Sequence, residues 1–319
     1  QFCNYWCHRN RQCAFSSYTK FWSLHQVINM SNYKEIVLNS YSDYFNYLKN
    51  EILYWNWDNY FYGLIAISLV VWFLEITFPW RKQQAVFRKD FWLDLFYLFF
   101  NFFLLNLILL IAFSNLTEQF FNDVLHLFGF KLTSIQLLSI SELPKPLALF
   151  VFFLISDFLQ WNIHRLLHII PFFWKIHKTH HSVKEMGFAA HFRYNWMEPI
   201  VYKSILYIPI ILIGGVNLED VFIVHFITIA IGHLNHANIG WDYGFLKYFF
   251  NNPKMHIWHH SKKIPSKYGV NFGISLSLWD YLFKTNYIPA DGRDIELGFD
   301  DESEFPTNFI KQETFPFKK

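Results

Sequence analysis

The residues of this chain best suited to chemistry are its histidines. Twelve of the 15 lie between His164 and His260, in a sequence of 319 residues. His164 and His168 are four residues apart, so on a helix both rings point to the same side and can bind one metal ion. Two further clusters place histidines at positions i, i+3 and i+4, which also share one helix face, so each cluster is expected to point three rings into one pocket. These clusters are His177, His180 and His181, and His256, His259 and His260.

These eight histidines are more ligands than one ion accepts, so the pattern predicts two metal ions. Neutral imidazole suits zinc, copper, iron and nickel, and the spacing alone does not choose among them. A closed zinc pair would be structural, whereas an iron pair with open positions could activate oxygen. His233 and His236, three residues apart, are further candidate ligands. Asp157 lies two turns before His164 on the same helix face, where it could orient a ligand or bind metal directly.

Neither cysteine chemistry nor nucleic-acid binding is expected. The three cysteines, Cys3, Cys7 and Cys13, all precede residue 14, and their spacing matches no zinc-binding pattern. A net charge of +2 does not indicate the strongly basic surface that nucleic-acid binding needs. The first methionine is Met30. We therefore interpret residues 1–29 as an upstream or disordered extension and residues 30–319 as a single domain, with a short soluble tail after Lys284.

The composition indicates a lipid environment. The chain is 53% hydrophobic, 22% aromatic and 16% charged, whereas a soluble domain carries about 25% charged residues. Runs at 60–79, 91–113 and 146–163 are apolar and long enough to cross a membrane. Shorter runs at 199–214 and 221–232 predict a tilted hairpin or a pair that penetrates partway. The amphipathic stretch 115–142 is expected near the surface.

The distribution of basic residues predicts the orientation. Lysines and arginines are more frequent after the first and third runs than between the second and third, and cytosolic loops carry this excess. The expected fold is an all-α integral membrane bundle of about four to five membrane-inserted helices, capped by a cytosolic histidine-rich helical di-metal domain. Glu75 and Asp94, each the only charge in its run, are interpreted as interfacial and not catalytic.

The histidine clusters belong to a longer series of motifs. Asp157, Trp161, His164, Arg165 and His168 form a D…W…HR-x-x-H box, and residues 177–182 read HKTHHS. Residues 252–261 form a P-x-x-H-x-x-HH box, preceded by an H-x-N step at 236–238. NxG and WDxLF segments follow at 271–273 and 279–283. Together, over about residues 146–287, these motifs resemble the fatty acid hydroxylase/sterol desaturase superfamily of integral membrane di-iron enzymes.

Two positions depart from the family's pattern. Many members carry a histidine where this chain has Asn195, and His191 is a candidate to replace it as a ligand. Lys284 stands where the family usually has glycine, which affects the final turn and not the chemistry.

The resemblance implies two non-haem iron ions as cofactors, O2 as co-substrate, and hydroxylation or desaturation of a lipid C–H bond in a sterol, fatty acyl chain or related lipid. The sequence has no nucleotide-binding glycine motif and no CxxC pair, so electrons must come from an external donor. A basic surface with Lys262, Lys263 and Lys267 would suit an acidic cytochrome b5-like or ferredoxin-like carrier.

Two other functions stay open on the sequence. An acyl-lipid desaturase of the wider histidine-box group shares the HxxHH pairs, although the HRLLH box, the H-x-N step and the WDxLF ending favour the hydroxylase side. The second is a non-catalytic membrane protein that uses the histidines for structural zinc or metal handling. Bound zinc without oxygen uptake would favour it.

Overall fold

The structure, a computed structural model, describes residues 30–55, 59–130, 138–203, 213–216 and 218–318, and helices dominate this part of the chain. The predicted extension 1–29 lies outside the described residues. The labelled helices are α1 (Met30–Leu53), α2 (Tyr60–Thr77), α3 (Phe91–Leu127), α4 (Lys145–Ile169), α5 (Pro171–His181), α6 (Leu218–His236), α7 (Pro253–His259), α8 (Leu278–Leu282) and α9 (Phe309–Thr314). Residues 197–203 are also helical. Strands β1 (Leu138–Ser139) and β2 (Ile213–Gly214) pair in parallel.

Within the described ranges, three helices are long and apolar enough to cross a membrane, and they are α2, α3 and α4. Each contains one of the three long runs predicted from the sequence. The predicted hairpin is only partly described, because residues 204–212 of its first run lie outside the described ranges. Its second run lies within α6, which is not among these three helices. A fourth and a fifth crossing therefore stay predictions.

Helix α3 extends beyond its predicted run, to Leu127, so the amphipathic residues 115–127 continue the same helix. They pack beside α1, where the Tyr33 hydroxyl donates to the Asp123 carboxylate at 2.6 Å. The centre of α3 widens into two π-helical turns, Phe100–Leu104 and Asn106–Leu110. In the first of them, the Asn101 side chain donates to the carbonyls of Phe192 and Tyr194. Helix α3 is thereby attached to the segment that follows α5.

The end of α2, the start of α3 and the end of α4 lie together, because successive helices run in opposite directions. At this end Glu75 accepts the Phe188 amide at 2.9 Å, and Asp94 binds Arg88 at 2.7 Å and Arg193 at 3.1 Å. Both carboxylates are buried among protein groups near the ends of their helices, and their placement at the membrane interface stays a prediction. Phe188 and Arg193 are distant in sequence from these carboxylates, so the composition of the apolar runs alone does not predict these two contacts.

The segment after Lys284, predicted as a short soluble tail, packs against the rest of the described chain through α9. Gln312 and Glu313 of α9 are buried, and the Tyr97 hydroxyl donates to the Gln312 side chain at 2.9 Å. The Asn195 amide donates to the Glu313 carbonyl, and the Trp196 amide donates to its carboxylate at 2.7 Å. Helix α9 therefore closes over residues 195–196.

Replacing Glu313 by glutamine is expected to flatten the dependence of stability on pH. Burial raises the pKa of Glu313 to about 7, against the hydrogen bond from Trp196. A raised folded-state pKa gives stability that is present below the unfolded value of 4.5 and is lost as the pH rises through about 7. Glu313→Gln should therefore gain stability over the parent between pH 5 and pH 8, by up to about 3 kcal/mol.

Thermal unfolding in detergent at several pH values measures this difference. Glu304→Gln, in the same segment but exposed, is the matched control and should follow the parent at every pH. A Glu313→Gln curve parallel to the parent across this range would contradict the assignment.

Lys284, where the family usually has glycine, adopts a left-handed conformation with φ of 58°. This region favours glycine because it lacks a Cβ atom. The turn is closed by Thr285, whose amide donates to the Asp280 carbonyl at 2.9 Å and whose hydroxyl donates to the Asp280 carboxylate at 2.6 Å. The turn therefore forms with lysine in the glycine position.

Candidate metal centre

Nine histidines meet in two adjacent buried groups at the common end of α2, α3 and α4. Within each group, one ring nitrogen of every histidine lies within 4.8 Å of those of the others. Eight of the nine are buried, and His168 is partly exposed. The five-histidine group contains His164, His168, His177, His181 and His259. The four-histidine group contains His180, His236, His256 and His260.

Each HxxHH cluster is divided between the two groups. On α5, His177 and His181 join the five-histidine group, and His180 joins the other. Residues four apart on a helix differ by about 40° in direction, whereas adjacent residues differ by about 100°. The prediction that each cluster points its three rings into one pocket is therefore wrong. Each cluster contributes two rings to one group and the third ring to the other. Around α7 the division is reversed, with His256 and His260 in the four-histidine group and His259 in the five-histidine group.

The outer nitrogens of these rings are held by backbone carbonyls. The Nδ1 atom of His164 lies 2.8 Å from the Phe272 carbonyl, and that of His180 lies 3.2 Å from the Arg193 carbonyl. His236 donates to its own helix, with Nδ1 2.7 Å from the Gly232 carbonyl. A carbonyl only accepts, so each Nδ1 carries the proton. In a neutral ring the Nε2 lone pair is then free to bind a metal.

These lone pairs point at one another. The Nε2 atoms of His180 and His236 are 3.1 Å apart, although both rings carry their proton on Nδ1. Two acceptors cannot form a hydrogen bond, and a cation between them removes the conflict. Ligand nitrogens bound to one ion at about 2.1 Å lie about 3 Å from each other. The Nε2 atoms of His164 and His177 repeat this separation, at 3.1 Å.

The environment keeps the rings neutral, which is the form that binds metal. Burial lowers the pKa of His180 well below its ordinary value, and the neighbouring His236 lowers it further. Burial likewise lowers the pKa of His177 and of His260. Among the described residues, the Nε2 atoms of His168, His181 and His259 are buried without a hydrogen-bond partner. Such atoms fit a ligand role, so both groups are suited to hold a cation.

Glu198 is a site residue that the sequence analysis missed. Its carboxylate is buried and lies 3.0 Å from Nδ1 of His177, on the side of the ring away from the group. Burial raises the pKa of Glu198, and nearby Glu313 raises it further. A carboxylate in this position orients a metal-binding histidine and makes it a better ligand. Glu198 follows no histidine spacing, so the sequence gave no signal for it.

Replacing Glu198 by alanine is expected to weaken metal binding at the five-histidine group by about 10- to 100-fold, because His177 loses the acceptor that orients its ring. Metal titration of apo-protein against a competing chelator measures the affinity. Glu198→Gln keeps an acceptor oxygen and should lose much less. Equal losses in both variants would mean that Glu198 acts through its charge or through packing.

Asp157 touches neither group and instead supports the loop before α8. It accepts the Ser275 amide at 3.1 Å and the Trp279 indole at 2.9 Å. Asp280 also supports the backbone, closer to the site, by accepting a hydrogen bond from the Phe272 amide at 2.9 Å. Because the Phe272 carbonyl holds His164, Asp280 positions a histidine through one intermediate residue. The NxG and WDxLF segments therefore support the backbone beside the five-histidine group.

His233, His191 and Asn195 are placed outside both groups. His233 lies between Ser68 and His191, 3.0 Å from each. The His191 ring stacks on His236 with centroids 5.2 Å apart. Asn195, at the position where many family members have histidine, is buried and holds α9. The structure therefore brings together nine of the eleven histidines proposed as ligands.

Comparisons with known proteins agree with this site. Residues 149–285 match the family model for fatty acid hydroxylase, a range that contains all nine grouped histidines. The chain is similar to the ornithine lipid hydroxylase OlsE of Rhizobium tropici, with 27% identity over 55% of this chain and 52% of the relative. It is also similar to the very-long-chain aldehyde decarbonylase GL1-10 of Oryza sativa, with 29% identity over 53% of this chain and 62% of the relative.

A third relative is a methylsterol monooxygenase of Aspergillus fumigatus, with 25% identity over 53% of this chain and 56% of the relative. The chain thus spans about half the length of these relatives. No solved structure matches it significantly. The matched range and the relatives agree with the histidine motifs, and together they support the resemblance to the fatty acid hydroxylase/sterol desaturase superfamily.

Proposed function

We propose that this chain is a membrane-bound, non-haem di-iron oxidoreductase that uses O2 to hydroxylate or desaturate a C–H bond of a lipid. The observation that carries the proposal is the pair of adjacent, all-histidine groups whose inward lone pairs face each other 3.1 Å apart. Imidazole nitrogen is a ligand that iron accepts. Bound iron supplies an oxidant able to break an unactivated C–H bond, which side chains alone cannot do.

Each group of histidines is proposed to bind one of the two ions. The five-histidine group would hold one iron and the four-histidine group the other. Phe272, Arg193 and Glu198 fix the rings from outside, so the ligand nitrogens are oriented before metal binds. Burial of the groups excludes bulk water, which protects a reactive oxidant from solvent.

A lipid substrate is favoured by where the groups lie and by the relatives' names. Both groups are at one end of the apolar helices α2, α3 and α4, so a lipid tail lying among these helices would approach them from the bilayer. The relatives include an ornithine lipid hydroxylase and a methylsterol monooxygenase. We therefore propose an integral, multi-pass protein whose active site faces the cytosol, following the excess of basic residues at this end.

The electron donor is proposed to be an external cytochrome b5-like or ferredoxin-like carrier. Of the three lysines predicted to dock it, Lys262 pairs with Glu296 at 2.8 Å, whereas Lys263 and Lys267 are exposed. Charge reversal at Lys263 and Lys267 should raise the donor concentration needed for half-maximal turnover. Turnover that is unchanged at every donor concentration would place docking elsewhere.

Metal analysis of detergent-purified protein from iron-replete cells tests the proposed function. The expected result is one iron for each of the two groups, with O2 uptake on addition of reductant and lipid. His259→Ala/His260→Ala, which removes one ligand from each group, should lose both properties. Stoichiometric zinc that iron cannot replace, without O2 uptake, would instead support the structural or metal-handling alternative. The oxidised lipid then separates hydroxylation from desaturation.

A further inference from the structure

A surface of exposed aromatic and aliphatic side chains lies outside the helices that are able to cross a membrane. We call it the aromatic face, and it consists of Trp241, Phe245, Leu246, Tyr248, Phe249 and Phe283. Phe245 is 72% exposed, the highest exposure in the group. Five of the six lie within residues 241–249, where Phe245 contacts Tyr248 and Phe249. Exposed apolar side chains grouped in this way mark an interaction site.

The aromatic face continues the surface of the apolar helices. Trp241 contacts Phe78, the residue immediately after α2, with ring centroids 6.4 Å apart. Phe283 stacks on Trp161 of α4 with centroids 4.9 Å apart, and it also contacts Phe158. Both contacts lie where α2 and α4 approach the histidine groups. Phe78 and Trp241 are both exposed, so whatever covers this end of α2 extends onto Trp241, whereas on α4 Phe283 packs against the buried Trp161.

Polar and basic groups border the aromatic face. A cavity of about 550 Å³ opens beside it, lined in part by Lys247, Lys254, Asp242 and Asp291. Membrane interfaces favour this arrangement, with aromatic rings at the level of the headgroups and lysines near the phosphates. A soluble protein partner would not explain why the aromatic face is continuous with α2 and α4.

The aromatic face is held rigidly against the metal centre. The Ser277 hydroxyl donates to the Lys247 carbonyl at 2.6 Å, and the Asn251 amide donates to the Ser275 carbonyl at 2.9 Å. Helix α7 begins two residues later, at Pro253, and carries His256. The depth of the aromatic face in a bilayer would therefore fix the height of the histidine groups above it.

We propose that the aromatic face is a lipid-docking surface that inserts into the headgroup region of the bilayer, in the leaflet nearest the metal centre. It keeps the histidine groups at a constant distance from the membrane, so that a lipid tail reaches them without leaving the apolar phase. The docking does not depend on which metal is bound or on the reaction catalysed. Its test can therefore fail or succeed independently of the proposed function.

Site-directed fluorescence in phosphatidylcholine/phosphatidylglycerol nanodiscs tests the docking. With Cys3, Cys7 and Cys13 replaced by serine, Phe245→Cys is labelled with an environment-sensitive dye. The label is expected about 5–10 Å below the phosphates, quenched by shallow spin-labelled lipid and protected from iodide. Glu296→Cys, on an exposed polar surface, is the matched control and should show the opposite behaviour. A label at Leu69→Cys, which is exposed on α2, gives the reference signal for a position inside the apolar core of the bilayer.

Two outcomes would overturn the proposal. Equal iodide quenching at positions 245 and 296 would show that the aromatic face is in water. Protection from iodide without quenching by spin-labelled lipid would show that protein covers it, a second copy of this chain included. Labelling of Phe249→Cys repeats the measurement, so a local effect of the label at one position does not decide the result.

Discussion

His259→Ala and His260→Ala are expected to weaken two different metal ions, although the two residues are adjacent. His259 belongs to the five-histidine group and His260 to the four-histidine group. His260→Ala leaves three ligands in its group and His259→Ala leaves four, so the first variant should release its ion more readily. Either change should lower turnover by at least about 10³-fold, because the chemistry proposed here has no route through side chains alone.

Cobalt substitution distinguishes the two sites, because the visible spectrum of bound cobalt(II) reports its ligand number and geometry. After mild chelation, the ion retained by His260→Ala should give the spectrum of the five-histidine group, and the ion retained by His259→Ala that of the four-histidine group. His126→Ala is the matched control, since His126 is exposed on α3, away from both groups. Loss of the same ion in both variants would contradict the division of the HxxHH clusters.

Asp280→Ala is expected to have the largest effect on stability of any change outside the histidines. The Asp280 carboxylate accepts from the Phe272 amide, the Gly273 amide, the Trp161 indole and the Thr285 hydroxyl. It is fully buried, so its removal leaves these donors without acceptors. A buried unpaired donor costs about 1–3 kcal/mol, which sums to at least about 4 kcal/mol for this residue. The melting temperature should fall by about 10 °C or more.

Loss of Asp280 should also reduce metal content, because the Phe272 carbonyl that holds His164 would move. Asp291→Ala, on an exposed aspartate, is the control and should melt within a few degrees of the parent. Asp280→Asn keeps the shape of the side chain but turns an NH2 group toward some of the donors, so we expect an intermediate loss. A melting temperature for Asp280→Ala close to that of the parent would contradict this role.

The motifs of the site could be predicted because helix periodicity is local. His164 and His168 are four residues apart and fall in one group, as expected. The same rule places His177 with His181, and His256 with His260. The apolar runs that became α2, α3 and α4 depend on equally local composition. Sequence alone therefore predicted the three long apolar helices, all nine grouped histidines and the family resemblance.

Only the tertiary structure decided how these residues are shared and supported. The i, i+4 spacing pairs two rings of each HxxHH cluster, but only the tertiary structure shows that the third ring of each cluster joins the two paired rings of the other cluster. The carbonyl that holds His164 belongs to Phe272, 108 residues away, and one of the two arginines that bind Asp94 is Arg193, 99 residues away. His233, proposed as a ligand, lies outside both groups, between Ser68 and His191. A buried polar group needs a partner, but chain folding, and not sequence neighbourhood, determines which residue supplies it.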